Sequence, residues 1–147
     1  MKKALLLGAV FLAAQISVYA KDCEQTVEGN DQLQYNVKEI KVPADCTVLK
    51  LTLKHVGKTP KSAMGHNIVI AETKDMNAIT AEGSKTGLAK DYLNLADKKI
   101  LASTKLIGGG ETATVSVALS KFKKGGDYSF FCTFPGHLVL MKGKFVY

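Results

Sequence analysis

The chain has 147 residues, 46% of them apolar, which suits one domain with a real hydrophobic core. Its formal charge is +7, and all 20 basic residues are lysine. A modest excess spread along the chain, with no arginine for bidentate phosphate or base contacts, argues against nucleic acid as a partner. It reads as a solvated surface that can bias encounter with an acidic partner.

Residues 1–20 have the form of a secretory signal peptide. Lys2 and Lys3 make a positive start, Ala4 to Ala14 is an apolar run, and Val18-Tyr19-Ala20 is a small-residue cleavage site. The run is short for a membrane span. The expected mature domain is therefore 21–147, exported and without a stable membrane anchor.

Short extended segments follow. Residues 37–42 form one, ended by Pro43. Residues 47–55 alternate closely, with Leu49, Leu51 and Leu53 on one face and Lys50, Thr52 and Lys54 on the other, the pattern of a half-buried strand. After a turn at 57–60, residues 66–70 read as a central strand with His66 near its start. Residues 73–95 break the pattern, and a short helix is expected near 75–82. Strands resume at 100–106, 112–117, 127–132 and 140–147, separated by Gly-rich turns at 108–110 and 123–126. Many short strands with such turns predict an all-β Greek-key sandwich or barrel.

The last third of the chain carries the chemistry. Cys132, His137 and Met141 stand at C-x4-H-x3-M spacing within one loop. Thiolate and thioether select soft ions such as copper(I), and imidazole suits copper in both oxidation states. A second imidazole is available in Met64-Gly65-His66-Asn67. Two His, one Cys and a weak axial Met are the ligand set of blue-copper electron-transfer sites. A thiol nucleophile with His137 as its base is the competing reading, but sequence signatures of such enzymes are absent.

Cys-Thr-Phe-Pro-Gly-His-x3-Met together with Met-Gly-His-Asn resembles the azurins, small bacterial blue-copper proteins of the cupredoxin family. Other cupredoxins have fewer residues between the Cys and the His. The likeness runs from about Cys23 to Tyr147. It implies a cupredoxin sandwich with a short helical flap, and one copper ion cycling between Cu(II) and Cu(I). His66, Cys132, His137 and Met141 are the implied ligands, with the Gly65 carbonyl as a weak fifth. Asn67 is implied to hold the Cys132 loop from outside the ligand set. Cys23 and Cys46, each opening an expected strand in an exported chain, are the natural disulfide pair, and the resemblance implies the same; Cys132 is then the odd, functional thiol.

The function implied is that of a periplasmic one-electron carrier, not an enzyme. The partners implied are redox proteins, with cytochrome-type donors and periplasmic reductases or oxidases as acceptors. They would dock over His137 on an uncharged patch of Met64, Phe134, Pro135, Gly136, Val139 and Leu140. The alternative weighed is a copper-binding buffer or chaperone, which favours exposed, exchangeable Cys or Met clusters. An enzyme needs a second, open metal centre, and the one histidine left over, His55, is too few; it is expected to be a satisfied core or rim residue. The chain departs from some azurins in having no Trp, with Ile68 following Asn67.

Overall fold

The computed structural model describes residues 22–147, and the expected signal peptide at 1–20 lies outside them. In chain order the elements are β1 (Asp22–Gly29), β2 (Glu39–Lys41), β3 (Val48–His55), α1 (Lys61–Met64), β4 (Val69–Glu72), α2 (Met76–Thr86), β5 (Ala102–Ser103), β6 (Thr112–Ala118), β7 (Tyr128–Phe131) and β8 (Lys142–Val146). They form a three-stranded sheet, ordered β1-β3-β6, and a five-stranded sheet, ordered β2-β8-β7-β4-β5. The expected all-β sandwich is thus borne out, with β1 parallel to β3 and β2 parallel to β8.

Alternation decides which face each sheet buries. Leu49, Leu51 and Leu53 of β3 point inward with Val27 and Val117, and meet Ile40, Ile70, Phe130 and Phe145 of the other sheet in one core. His55 falls on the same parity as the three leucines, so β3 carries it into the interior. β4 and β7 are buried on both faces. Their second face, Val69, Ala71 and Phe131, is covered by Ile79 of α2 and by Leu93. That answers where the helical flap packs, which propensity alone does not reveal.

Several boundaries differ from those expected. α2 runs on to Thr86 and ends at Gly87, whose φ of 71° suits a glycine after a helix C-terminus. The expected strand at 66–70 begins only at Val69. His66 makes an isolated antiparallel bridge to Ile107, with bonds of 2.9 and 2.8 Å. The N–H of Ile68 is taken by the Thr104 hydroxyl at 2.9 Å, so no ladder forms there. β5 keeps only two residues of the stretch 100–106. A disulfide joins Cys23 to Cys46 and leaves Cys132 as a buried free thiol. It ties β1 to the entry of β3, a closure that stabilises by roughly 3 kcal/mol in the chain-entropy model.

Candidate metal centre

Three segments converge at one end of the sandwich. Cys132 directly follows β7 and Met141 directly precedes β8. The Cys132 N–H donates to the Met141 carbonyl at 3.0 Å, and the Met141 N–H to the His137 carbonyl at 2.8 Å. The loop is therefore closed at its base by its own backbone. The third segment, Gly65-His66-Asn67, reaches the site through the bridge to Ile107. Gly65 is required there by space: a Cβ on it would lie 2.7 Å from the Lys61 carbonyl and 2.8 Å from the Leu106 side chain.

His66, Cys132 and His137 each offer one donor atom, and these three atoms lie within 4.8 Å of one another. All three residues are buried. Cys132 Sγ stands 3.6 Å from His137 Nδ1 and 3.9 Å from the Gly65 carbonyl oxygen. Met141 is fully buried, and its methyl group lies near the His66 ring, because a Cβ on Gly29 would approach both.

The donor set fits a soft cation on two observations. His66 Nε2 is 2.8 Å from the Asn30 carbonyl, which accepts its proton and leaves Nδ1 as the lone-pair nitrogen. That Nδ1 is buried and has no hydrogen-bond partner. A buried orphan acceptor is costly unless something fills the place, and here it belongs to the cluster of thiol and imidazole. The other cluster of potential ligands among the described residues, Cys23, Asp45 and Cys46, holds its sulfurs in the disulfide and offers no thiolate.

The electrostatics agree. Burial pushes His137 down to about 4, helped by the nearby His66 and His55 rings. Burial also lowers His66, against the opposing bond to the Asn30 carbonyl. Both imidazoles are neutral at pH 7, as ligands must be. Burial raises the Cys132 thiol to about 11, partly offset by the backbone N–H groups of Asn67 and Phe134 and by the Tyr35 hydroxyl. These shifts set the acid and alkaline limits of the metal-free protein. His137 protonates more readily unfolded than folded, so its contribution is full above about pH 6.5 and is lost as pH falls toward about 4. Cys132 ionises more readily unfolded, so its contribution is full below about pH 9 and is lost as pH rises toward about 11. Chemical denaturation of the apoprotein across this range should show both declines, and His137→Gln should flatten the acid one.

The expected positions are brought together unequally. Asn67 is fully buried. Its Oδ1 accepts from the Thr133 N–H at 2.9 Å and its Nδ2 donates to Thr133 Oγ1 at 2.8 Å, so the side chain joins the segment of His66 to that of Cys132. On the apolar patch, Val139 and Leu140 are 75% and 51% exposed, and Pro135 and Gly136 are exposed. Met64 is half-buried, whereas Phe134 is buried, its ring 4.5 Å from that of His137. His55 is fully buried and stacks 4.3 Å from His66, with Nε2 3.1 Å from Asp31 Oδ1. Its Nδ1 lacks a partner, so it is only partly satisfied.

Sequence reasoning missed three contributors. Asn30 orients His66, Gly29 leaves room beside the His66 ring and Met141, and the Tyr35 hydroxyl donates to the Asn67 carbonyl. The one available signal was Gly29-Asn30-Asp31, a polar turn cluster following a strand.

This geometry has known relatives. The family model for copper binding proteins of the plastocyanin/azurin family matches residues 21–147. The azurin of Alcaligenes faecalis is 48% identical over 121 residues, covering 82% of this chain and 94% of the relative. Azurin-2 of Alcaligenes xylosoxydans xylosoxydans is 50% identical over 121 residues with the same coverage. An azurin of Pseudomonas aeruginosa is 45% identical over 139 residues, covering 93% of this chain and 94% of the relative. A match across the whole described sandwich, with a thiol and two imidazoles gathered at its end, makes this chain a member of the plastocyanin/azurin family of copper-binding proteins.

Proposed function

We propose that the protein is a one-electron carrier that binds a single copper ion through His66, Cys132, His137 and Met141, with the Gly65 carbonyl as a distant fifth group. The observation that carries this reading is the buried donor cluster with its orphaned His66 Nδ1. Bound copper supplies a centre that accepts and gives up one electron without making or breaking a substrate bond. The chain supplies the rest. Cys132 gives up its proton on metal binding, since a coordinating thiol is deprotonated. Asn30 holds His66 in one tautomer, and Asn67 ties the two ligand-bearing segments together. A loop anchored between two strands resists rearrangement, which keeps the reorganisation on electron transfer small.

An enzyme reading finds no support in the remaining residues. His55, the one histidine outside the cluster, is engaged with Asp31 and His66. A buffer or chaperone needs an exchangeable site, and these donors are enclosed. The residues 1–20 supply a signal peptide and the mature domain 21–147 acts in the periplasm. Among the described residues no helix is long and apolar enough to cross a membrane. Redox partners, cytochrome-type donors and periplasmic reductases or oxidases, dock over His137 on the exposed Val139 and Leu140, flanked by Pro135, Gly136 and Met64, an apolar patch of the kind that marks interaction sites.

The test is titration of the apoprotein with copper(II). One equivalent should produce an intense blue band that a reductant bleaches and an oxidant restores. Val139→Lys should keep the band and slow electron self-exchange at low ionic strength by facing like charges. A colourless complex defeats the copper site, and unchanged self-exchange moves the electron route to another face.

A further inference from the structure

The flap beyond α2 carries an unusual turn. Asp91 and Tyr92 have φ of 55° and 53°, two consecutive non-glycine residues in the left-handed region. Asp visits that region with some ease, but a bulky aromatic there is an outlier held by its surroundings. Three backbone bonds hold this turn: Asp91 N–H to Leu88 at 3.0 Å, Tyr92 N–H to Gly87 at 3.0 Å and Leu93 N–H to Lys90 at 2.9 Å. α2 is shaped to receive it. A Cβ on Gly83 would stand 2.1 Å from the Tyr92 carbonyl oxygen, so the turn sits where only glycine leaves room.

The turn then touches each segment that bears a donor. The Asp91 carbonyl accepts from Asn67 Nδ2 at 3.2 Å. The Asp91 carboxylate pairs with Lys61 of α1 at 2.6 Å, in the helix that leads to Gly65 and His66. The Tyr92 ring packs edge-on against Phe134 of the metal loop with centroids 5.2 Å apart. Asn67 has two amide protons. One goes to Thr133 Oγ1 and the other to Asp91, which leaves Oδ1 free to take the Thr133 N–H. The Thr133 N–H sets which way round the amide stands, and the flap carbonyl holds its second proton and so keeps the side chain in place. A reversed amide would turn its NH2 toward the Thr133 N–H, donor against donor.

We infer that the Asp91-Tyr92 turn is a positioning element for the metal loop, holding the Asn67 side chain in place and, through Asn67 and Phe134, the placement of Cys132 and His137. This role rests on the copper-site reading only for its effect on potential, because the Asn67 geometry exists without metal. Position and not charge is what acts. Asp91→Asn keeps an αL-tolerant residue and the carbonyl while removing the carboxylate, whereas Asp91→Val places a β-branched residue where φ must be positive.

The experiment is hydrogen exchange of the Asn67 side-chain amide by NMR in the apoprotein, with voltammetry of the copper-loaded form beside it. Asp91→Val should speed exchange of the Asn67 amide at least tenfold and shift the reduction potential. Asp91→Asn should leave both as in the parent. If Asp91→Val does not fold, Gly83→Ala displaces the same turn from the helix side and should move both readouts in the same sense. A folded Asp91→Val or Gly83→Ala protein with lowered stability but unchanged Asn67 exchange overturns the inference, as that is the behaviour of a purely structural turn. A protein that takes up no copper defeats the proposed function and leaves the amide readout to decide this one.

Discussion

Cys132→Ser should fold and stay colourless with copper(II). The sulfur is the only thiolate source in the cluster, and the absorption of a blue site belongs to the copper–thiolate bond. A serine hydroxyl titrates far above any thiol and is not ionised at neutral pH by this site. The substitution is also gentle on the fold. The new hydroxyl is close in size to the thiol, and its single proton can turn to either the Gly65 carbonyl or His137 Nδ1, which lie 3.9 and 3.6 Å from Sγ in the parent. A buried polar group with partners costs little, on the order of 1 kcal/mol. The expected result is complete loss of the blue band with an apoprotein melting within a few degrees of the parent. A blue Cys132→Ser protein removes Cys132 from the ligand set.

Phe130→Ala should destabilise the sandwich strongly. Phe130 is fully buried on β7, and its ring stands 5.4 Å from Tyr35. Gly143 of the neighbouring strand gives it room, for a Cβ there would come within 2.5 Å of the ring. Truncation of such a ring costs about 3–5 kcal/mol, the removed transfer energy plus a cavity. That lowers the melting temperature by roughly 10–20 °C for a domain of this size. The effect should also reach the metal loop, because Tyr35 packs on Phe130 and donates to the Asn67 carbonyl. Calorimetry of the apoprotein reads the first effect. A melting temperature within about two degrees of the parent means that the site collapses around the cavity and that the core is looser than its packing indicates.

The parts of the fold that were legible are those governed by short-range pattern. The strict alternation from Leu49 to Lys54 places β3 and its buried face, and glycine clusters at 108–110 and 125–126 mark real breaks between strands. The loop from Cys132 to Met141 stood out because a thiol, an imidazole and a thioether lie within ten residues, and the structure gathers the first two with His66. Features made by distant contacts were not. His66 reads as the start of a strand, yet it makes only an isolated bridge to Ile107, and the Thr104 hydroxyl takes the Ile68 N–H that would continue a ladder. Phe134 reads as a surface residue of the loop, but the flap supplies Tyr92 to bury it. The left-handed pair Asp91-Tyr92 carries no glycine to announce it, since packing against α2 holds it there. The helix α1 is only four residues long, too short to show a period.

The position of β8 has a consequence for how the chain reaches this state. It lies between β2 and β7, pairing Ile40 with Phe145 and Tyr128 with Phe145. The five-stranded sheet is therefore incomplete until the last strand inserts, and pairings between such distant parts of a chain form slowly. The same insertion gives the loop from Cys132 to Met141 its second fixed end. Cys132 lies buried at the base of that loop, while the Cys23–Cys46 bridge sits in the other sheet, across the β1–β3 pair that β8 does not touch. The bridge and the thiol are thus closed off by different strands, and the thiol that must stay reduced is sealed by the same strand that completes the five-stranded sheet.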